Sequence, residues 1–192
     1  MSSSTDAALR RLLDVTVAGV LLVVLAPLLA LLALLVRATS PGRGIFRQTR
    51  IGRHGRPFVL LKLRTMRADA AGPAITAGAD ARITPLGARL RRAKLDELPQ
   101  LWNVLRGDMS LVGPRPERPE FAERFAKTIT GYGLRHAARP GLTGLAQISG
   151  EYTSQPDIKL RYDLAYLNNW SFFLDLAILL RTLPVVLTRR GI

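Results

Sequence analysis

Twenty-two consecutive uncharged residues, Val15 to Val36 (VTVAGVLLVVLAPLLALLALLV), constrain this chain more than any other feature. As one straight helix the run measures roughly 33 Å, enough to cross a bilayer core of about 30 Å. A cleaved signal peptide fits poorly: the run is longer than an h-region, and no small-x-small site follows it before Arg37. Two readings remain, a single spanning anchor or a helix broken at Pro27 that enters and leaves by the same face. Pro27 divides the run into arms of 12 and 10 residues. Each arm is about 15–18 Å long and too short to span alone. Arg10 and Arg11 precede the run, and Arg37, Arg43, Arg47 and Arg50 follow it. The positive-inside rule therefore places both ends on the cytoplasmic side. A re-entrant helix meets both conditions, but proline-kinked spanning helices are common, so these features leave the two readings level.

The 192 residues suffice for one domain with an anchor. The absence of cysteine excludes a disulfide scaffold, a thiol nucleophile and a Cys-based zinc site. His54 and His136 lie too far apart in sequence to suggest a histidine-rich metal centre. A hydrophobic fraction of 48% argues against disorder. The net charge of +14 attracts phosphate, whether on lipid, nucleotide or nucleic acid. Much of it lies between Arg37 and Lys94, where 14 cations face only Asp69 and Asp80. Juxtamembrane arginines commonly serve attraction to anionic lipid.

Within that segment, 44–52 and 57–66 read as two short strands around Arg53-His54-Gly55-Arg56. Alternation puts Lys62 and Arg64 on one face, which suits a diphosphate or an ordinary solvated surface. Residues 67–87, rich in Ala, Gly and Pro, are expected to form a mobile loop. Near the C-terminus, Tyr166 to Phe173 opens a second apolar stretch that Asp175, Arg181 and Pro184 interrupt. It reads as a helix at the membrane interface or one in the core.

Asp96 and Glu97 directly precede the stripe Leu98, Leu101, Trp102 and Leu105, which has helical spacing. This predicts an amphipathic helix with both acids in its first turn, where simple capping is the commonest role. A carboxylate at a helix N-terminus among Arg89, Arg91, Arg92 and Lys94 is expected to stay ionised. In that state it can attack phosphorus once the phosphate charge is neutralised. Downstream, prolines flank Arg115 in Gly113-Pro-Arg-Pro-Glu117 and stiffen it for a bidentate phosphate contact. Arg139-Pro-Gly-Leu-Thr-Gly-Leu-Ala-Gln147 repeats the pattern of an arginine at a stiff turn followed by glycines.

At these residues the chain resembles the bacterial sugar transferases, the monotopic polyprenyl-phosphate phosphoglycosyl transferases. The resemblance rests on KLRTM (62–66), DARITPLGARLRR (80–92), LDELPQLWNVLRGDMSLVGPRPE (95–117), RPGLTGLAQISG (139–150) and YDLAYLNNWSFFLDLAILLRT (162–182). With no second membrane helix or appended domain in the sequence, it looks like the family's small form. The resemblance implies transfer of a phosphosugar from a nucleoside diphosphate sugar, usually a UDP-sugar, to polyprenyl phosphate, initiating glycoconjugate assembly. It implies Asp96 as nucleophile, a covalent aspartyl-phosphosugar intermediate and release of UMP. Magnesium is implied as cofactor, with Asp96 as its ligand, and Glu97 as acid/base or metal support. Lys62, Arg64, Arg89, Arg115, Arg139 and Gln147 are the expected phosphate and nucleotide contacts. Two positions depart from the family pattern: Ala26 replaces the serine that commonly precedes the mid-anchor proline, and Lys94 replaces a small polar residue.

The expected fold is α+β, mostly helical with one small β-hairpin. A re-entrant membrane helix over 1–38 precedes a catalytic domain over 39–192 on the cytoplasmic face of the bacterial inner membrane. Pro27, Trp170, Phe172 and Phe173 are the expected membrane residues. The rival reading is a membrane-tethered basic module binding acidic lipid or nucleic acid. With 6% aromatic residues and no aromatic–basic interleaving, nucleic acid is not expected as a partner.

Overall fold

The computed structural model describes residues 4–67, 80–149 and 155–187. Helix α1 runs from Ser4 to Thr39, and helical structure continues through Pro27. Both ends of α1 pack on the same globular body. In the N-terminal arm Ala18 is fully buried in a core with Leu101, Val104 and Tyr166. Arg11 donates to the Val104 and Leu105 carbonyls at 2.7 and 2.6 Å, satisfying the end of a neighbouring helix. Asp14, buried, accepts from Ser110 Oγ and the Leu111 amide, each at 2.8 Å. In the C-terminal arm Leu32 and Val36 form a second core with Leu63 and Leu90.

Between the arms Val20, Val23, Val24, Leu28 and Leu31 are exposed. Only 11% of the most apolar stretch of α1 is buried, so α1 is not the core helix of a soluble fold. Among the described residues it is the one helix long and apolar enough to cross a membrane.

Strands β1 (Ile45–Ile51) and β2 (Pro57–Leu63) form an antiparallel hairpin with Phe46 opposite Lys62 and Arg50 opposite Phe58. A 3-10 turn at Arg53–Gly55 joins them, with His54 in the left-handed region at φ 56°. The hairpin is as expected, though β2 stops at Leu63. Helix α2 (Pro85–Arg92) begins inside the segment expected to be loop. Thr84 sets that boundary, its side chain accepting from the Gly87 amide at 2.9 Å ahead of Pro85. Residues 68–79 of that segment lie outside the described residues.

A 3-10 turn at Leu95–Glu97 leads into α3 (Gln100–Arg106), then β3 (Ser110–Val112) and α4 (Pro119–Thr128). A 3-10 stretch at Tyr132–Ala137 precedes β4 (Gly141–Thr143), which pairs parallel with β3. Beside that pair the backbones touch: a Cβ at Gly141 would lie 2.1 Å from the Gly113 nitrogen, so only glycine fits. The chain closes with α5 (Leu145–Ile148), α6 (Pro156–Asn168) and α7 (Phe172–Leu187). This is a mostly helical α+β fold, as the sequence indicates.

Helix α7 has one face in the core through Ile178 and another in the open. Phe173, Leu176, Leu180 and Leu183 form an exposed apolar stripe at helical spacing, with Phe173 78% exposed. Phe172 is half-buried, its ring edge-on to Phe173 at 6.1 Å. Trp170 does not join the stripe. Its indole donates to Asp175 Oδ2 at 3.0 Å, and buried Asp175 also pairs with Arg10 and accepts from Tyr166. A buried carboxylate demands such donors, which the apolar spacing alone does not reveal.

Replacing Phe173, Leu176 and Leu180 by Ser should lower binding to lipid vesicles while leaving Tm near that of the parent. Trp170→Ser should instead cost stability, at about 2–4 °C per kcal/mol for a chain of this size. Parent-like vesicle binding by the triple Ser variant would show that this stripe does not face lipid.

Candidate active site

The site is assembled by the pinning of α3 to the hairpin. Asn103, fully buried on α3, accepts from the Leu61 amide at 3.1 Å and donates to the Val59 carbonyl at 2.8 Å. One side chain thus satisfies the outer edge of β2, which would otherwise bury unpaired backbone. It also fixes the end of β2 against the turn that carries the two acids. Lys62 Nζ lies 2.6 Å from Glu97 Oε1. Arg115 reaches the same oxygen at 2.5 Å and Oε2 at 3.4 Å.

Asp96 and Glu97 sit on the 3-10 turn Leu95–Glu97, not in the first turn of an α-helix, since α3 starts only at Gln100. The chain reverses just before them at Lys94, which adopts a left-handed conformation at φ 56°. Asp96 is buried at 6% exposure. Burial raises its pKa above the ordinary value, against the opposing charges of Lys62, Arg91 and Arg115, and the adjacent Glu97 adds to the rise. The expectation that Asp96 stays ionised considered only the nearby cations, and burial acts against them by raising the pKa. Glu97 behaves oppositely. Burial would raise its pKa, but the charges and hydrogen bonds of Arg115 and Lys62 hold it well below the carboxylate range. Two adjacent carboxyls are thus pushed apart, which is how a fold divides roles between acids.

Of the expected contacts, the structure brings Lys62 and Arg115 to the acids. Arg64 is buried, and its guanidinium bonds the carbonyls of Val36, Ser40 and Pro41, closing the C-terminal end of α1. Strand alternation fails at this residue because β2 has already ended. Arg89 is exposed on α2. Arg139 Nε donates to the Gly107 carbonyl at 2.9 Å. Gln147 donates to the Leu142 carbonyl at 3.1 Å, and its Oε1 is buried with no hydrogen-bond partner among the described residues. Gly150, at the end of that motif, lies outside the described residues.

Two further cations belong here, Arg91, which the sequence already placed near the acids, and Arg50, which it did not. Arg91, whose charge acts on Asp96, is held by Thr65 Oγ1 at 2.8 Å. Arg50 donates to the Pro116 carbonyl at 3.1 Å and to Gln48 at 2.8 Å. Burial, with Arg115 next, lowers its pKa to about 10. The period-2 pattern of β1 held the signal, since Arg50 shares a face with Phe46, whose cross-strand partner is Lys62.

A hard divalent cation takes oxygen ligands and, as magnesium, is often held by one or two carboxylates plus substrate phosphates. Glu97 is committed to two cations, which leaves Asp96 as the carboxylate for such an ion. Among the described residues no three His, Asp or Glu side chains converge on one point. The donor set fits an ion shared with a phosphate substrate and does not fit an all-protein cage.

Comparison with known proteins gives the family. The model of the family described as bacterial sugar transferase matches residues 5–189. A UDP-glucose:undecaprenyl-phosphate glucose-1-phosphate transferase of Caulobacter vibrioides is 47% identical, covering 93% of this chain and 70% of its own length. A UDP-N-acetylgalactosamine-undecaprenyl-phosphate N-acetylgalactosaminephosphotransferase of Aeromonas hydrophila is 37% identical over all of this chain but 46% of its own. An uncharacterized sugar transferase of Bacillus subtilis is 40% identical, over 96% of this chain and 90% of its own. The chain thus spans less than half of one relative and most of the other two.

Proposed function

The chain belongs to the bacterial sugar transferase family, and from that premise we propose that it moves a phosphosugar from a UDP-sugar to a polyprenyl phosphate such as undecaprenyl phosphate. The observation that carries this reading is the buried Asp96 beside Glu97, with Lys62 and Arg115 locked on the latter. The relatives' names supply the donor and acceptor classes. The rest follows from what these side chains can do.

A carboxylate oxygen of Asp96 attacks the sugar-linked phosphorus. The P–O bond to the second phosphate breaks, and UMP departs with the bond's electron pair. The phosphosugar remains as an acyl phosphate on Asp96. An oxygen of the lipid phosphate then displaces the carboxylate, giving polyprenyl diphosphate sugar and restoring Asp96. Arg115 and Lys62 face the charge that the transferring group spreads over its oxygens. Glu97 holds the two cations in register. Magnesium would be held by Asp96 with the diphosphate oxygens, and it supplies charge neutralisation between carboxylate and donor. Incubating the protein with a panel of nucleoside diphosphate sugars and undecaprenyl phosphate tests the reading. Release of UMP with formation of a lipid diphosphate sugar is expected, and no release with any donor would overturn it.

The membrane topology is part of the proposal. Both arms of α1 pack on one body, while its middle is exposed and apolar. This supports a helix that enters and leaves the inner membrane by its cytoplasmic face, bent at Pro27. Reporter tags at residues 1 and 192 should both be cytoplasmic, and Pro27→Ala should shift a fraction of molecules to a spanning N-terminus. A periplasmic N-terminus in the parent would restore the plain anchor.

A further inference from the structure

Four consecutive carbonyls around Arg115 are held from three sides, by β1, by Gly141 of β4 and by Arg135. Pro114 O accepts from the Gly141 amide at 2.9 Å, and Glu117 O accepts from the Ile51 amide at 2.9 Å. The two between are held by arginine side chains: Pro116 O by Arg50 at 3.1 Å, and Arg115 O by Arg135 Nη2 at 2.9 Å. Pro114 and Pro116 carry no N–H, so the segment cannot be zipped into a sheet from its own donors. Its place has to be imposed from outside.

Arg135 is built for that task. It is 5% exposed, and its donors are distributed over three partners. Nε and Nη2 meet Asp163 Oδ2 at 2.9 and 2.7 Å, Nη1 donates to the Tyr132 hydroxyl at 2.6 Å, and Nη2 also reaches Arg115 O. Asp163, 4% exposed on α6, supplies the counter-charge without which the guanidinium would be stranded in the core. We propose that Arg135, locked by Asp163 and Tyr132, is a positioning residue: it sets the backbone of Arg115 so that the Arg115 guanidinium meets Glu97 and the donor phosphates. This rests on the phosphoglycosyl transfer reading above. Phosphoryl transfer draws most of its acceleration from placement and charge, so a small shift of Arg115 is costly.

The test is a double-mutant cycle on the full chain in detergent or nanodiscs. It is scored in the donor half-reaction as UMP release with UDP-sugar and no acceptor. Lysine at 135 keeps the charge for Asp163 but cannot also span Tyr132 and the Arg115 carbonyl. Arg135→Lys should lower the rate by roughly tenfold to a hundredfold. Arg115→Lys should lower it further, and the double variant should be no slower than Arg115→Lys alone, because Arg135 acts only through Arg115. A merely structural Arg135 would give multiplicative losses, which overturns the proposal. A parent-like rate for Arg115→Lys would instead fail the site reading itself. Should Arg135→Lys not fold, Tyr132→Phe removes one bond from the same guanidinium. It should cost about twofold to tenfold in the parent and nothing in the Arg115→Lys background, and a loss of equal size in both backgrounds overturns the proposal.

Discussion

Asp96→Asn is expected to lower phosphosugar transfer by about a thousandfold or more, the scale on which loss of a covalent nucleophile acts, and at the same time to raise Tm at neutral pH. The second half follows from the sign of the pKa shift. Burial raises the Asp96 pKa in the folded protein. Ionisation therefore weakens the fold as pH rises through the unfolded value toward the folded one and beyond. The isosteric amide removes that penalty and keeps the shape. The two effects together distinguish a strained catalytic group from a structural one, whose loss would lower Tm. The covalent route predicts more. With UDP-sugar and magnesium but no acceptor, the parent should release about one equivalent of UMP and carry a phosphosugar on the peptide containing Asp96, with ping-pong kinetics overall. The acid limb of that half-reaction should lie above the ordinary aspartate value of 3.8. UMP release only in the presence of lipid phosphate, or an adduct on another residue, would make Asp96 a metal ligand or base and favour direct transfer.

What the sequence disclosed and what it withheld follow one line, between periodicity and tertiary contact. The hairpin, the apolar run and the α3 stripe were legible because side-chain alternation and helical spacing are local. Lys62 and Arg115 could be chosen from strand position and flanking prolines, and they do meet Glu97. Arg64 looked equivalent to Lys62, yet its guanidinium satisfies the last carbonyls of α1. Those carbonyls lie more than twenty residues away in sequence, and no local pattern announces that they need a donor. Trp170 lies apart from the apolar stripe of α7 for a related reason, since the partner of its indole is a carboxylate that only packing buries. The first-turn placement of Asp96 failed because the left-handed Lys94 and the 3-10 turn that follows delay α3 until Gln100. Arg135 and Asp163 could not be read at all: 28 residues separate them, and each alone resembles an ordinary surface charge.

Glu97→Gln should separate the two adjacent acids by opposite pH dependence. The Glu97 pKa is held well below its ordinary value of 4.5, so its ion pairs stabilise the fold above that pH and are lost as pH falls toward the folded value. At neutral pH the amide leaves Lys62 and Arg115 partly buried without their counter-charge, a cost of about 1–3 kcal/mol. The variant should therefore melt below the parent at pH 7, with the gap narrowing once the medium is more acidic than about pH 4.5. Asp96→Asn should show the reverse sign, melting above the parent at pH 7 and converging with it in acid. Activity of Glu97→Gln should fall by roughly a hundredfold, because Arg115 and Lys62 lose the anion that aligns them. Charge repulsion between the freed cations adds to this until a diphosphate arrives, so UDP-sugar should restore more Tm to the variant than to the parent. A Tm gap between parent and Glu97→Gln that stays constant from pH 7 into acid would mean that the ion pairs with Lys62 and Arg115 do not govern Glu97.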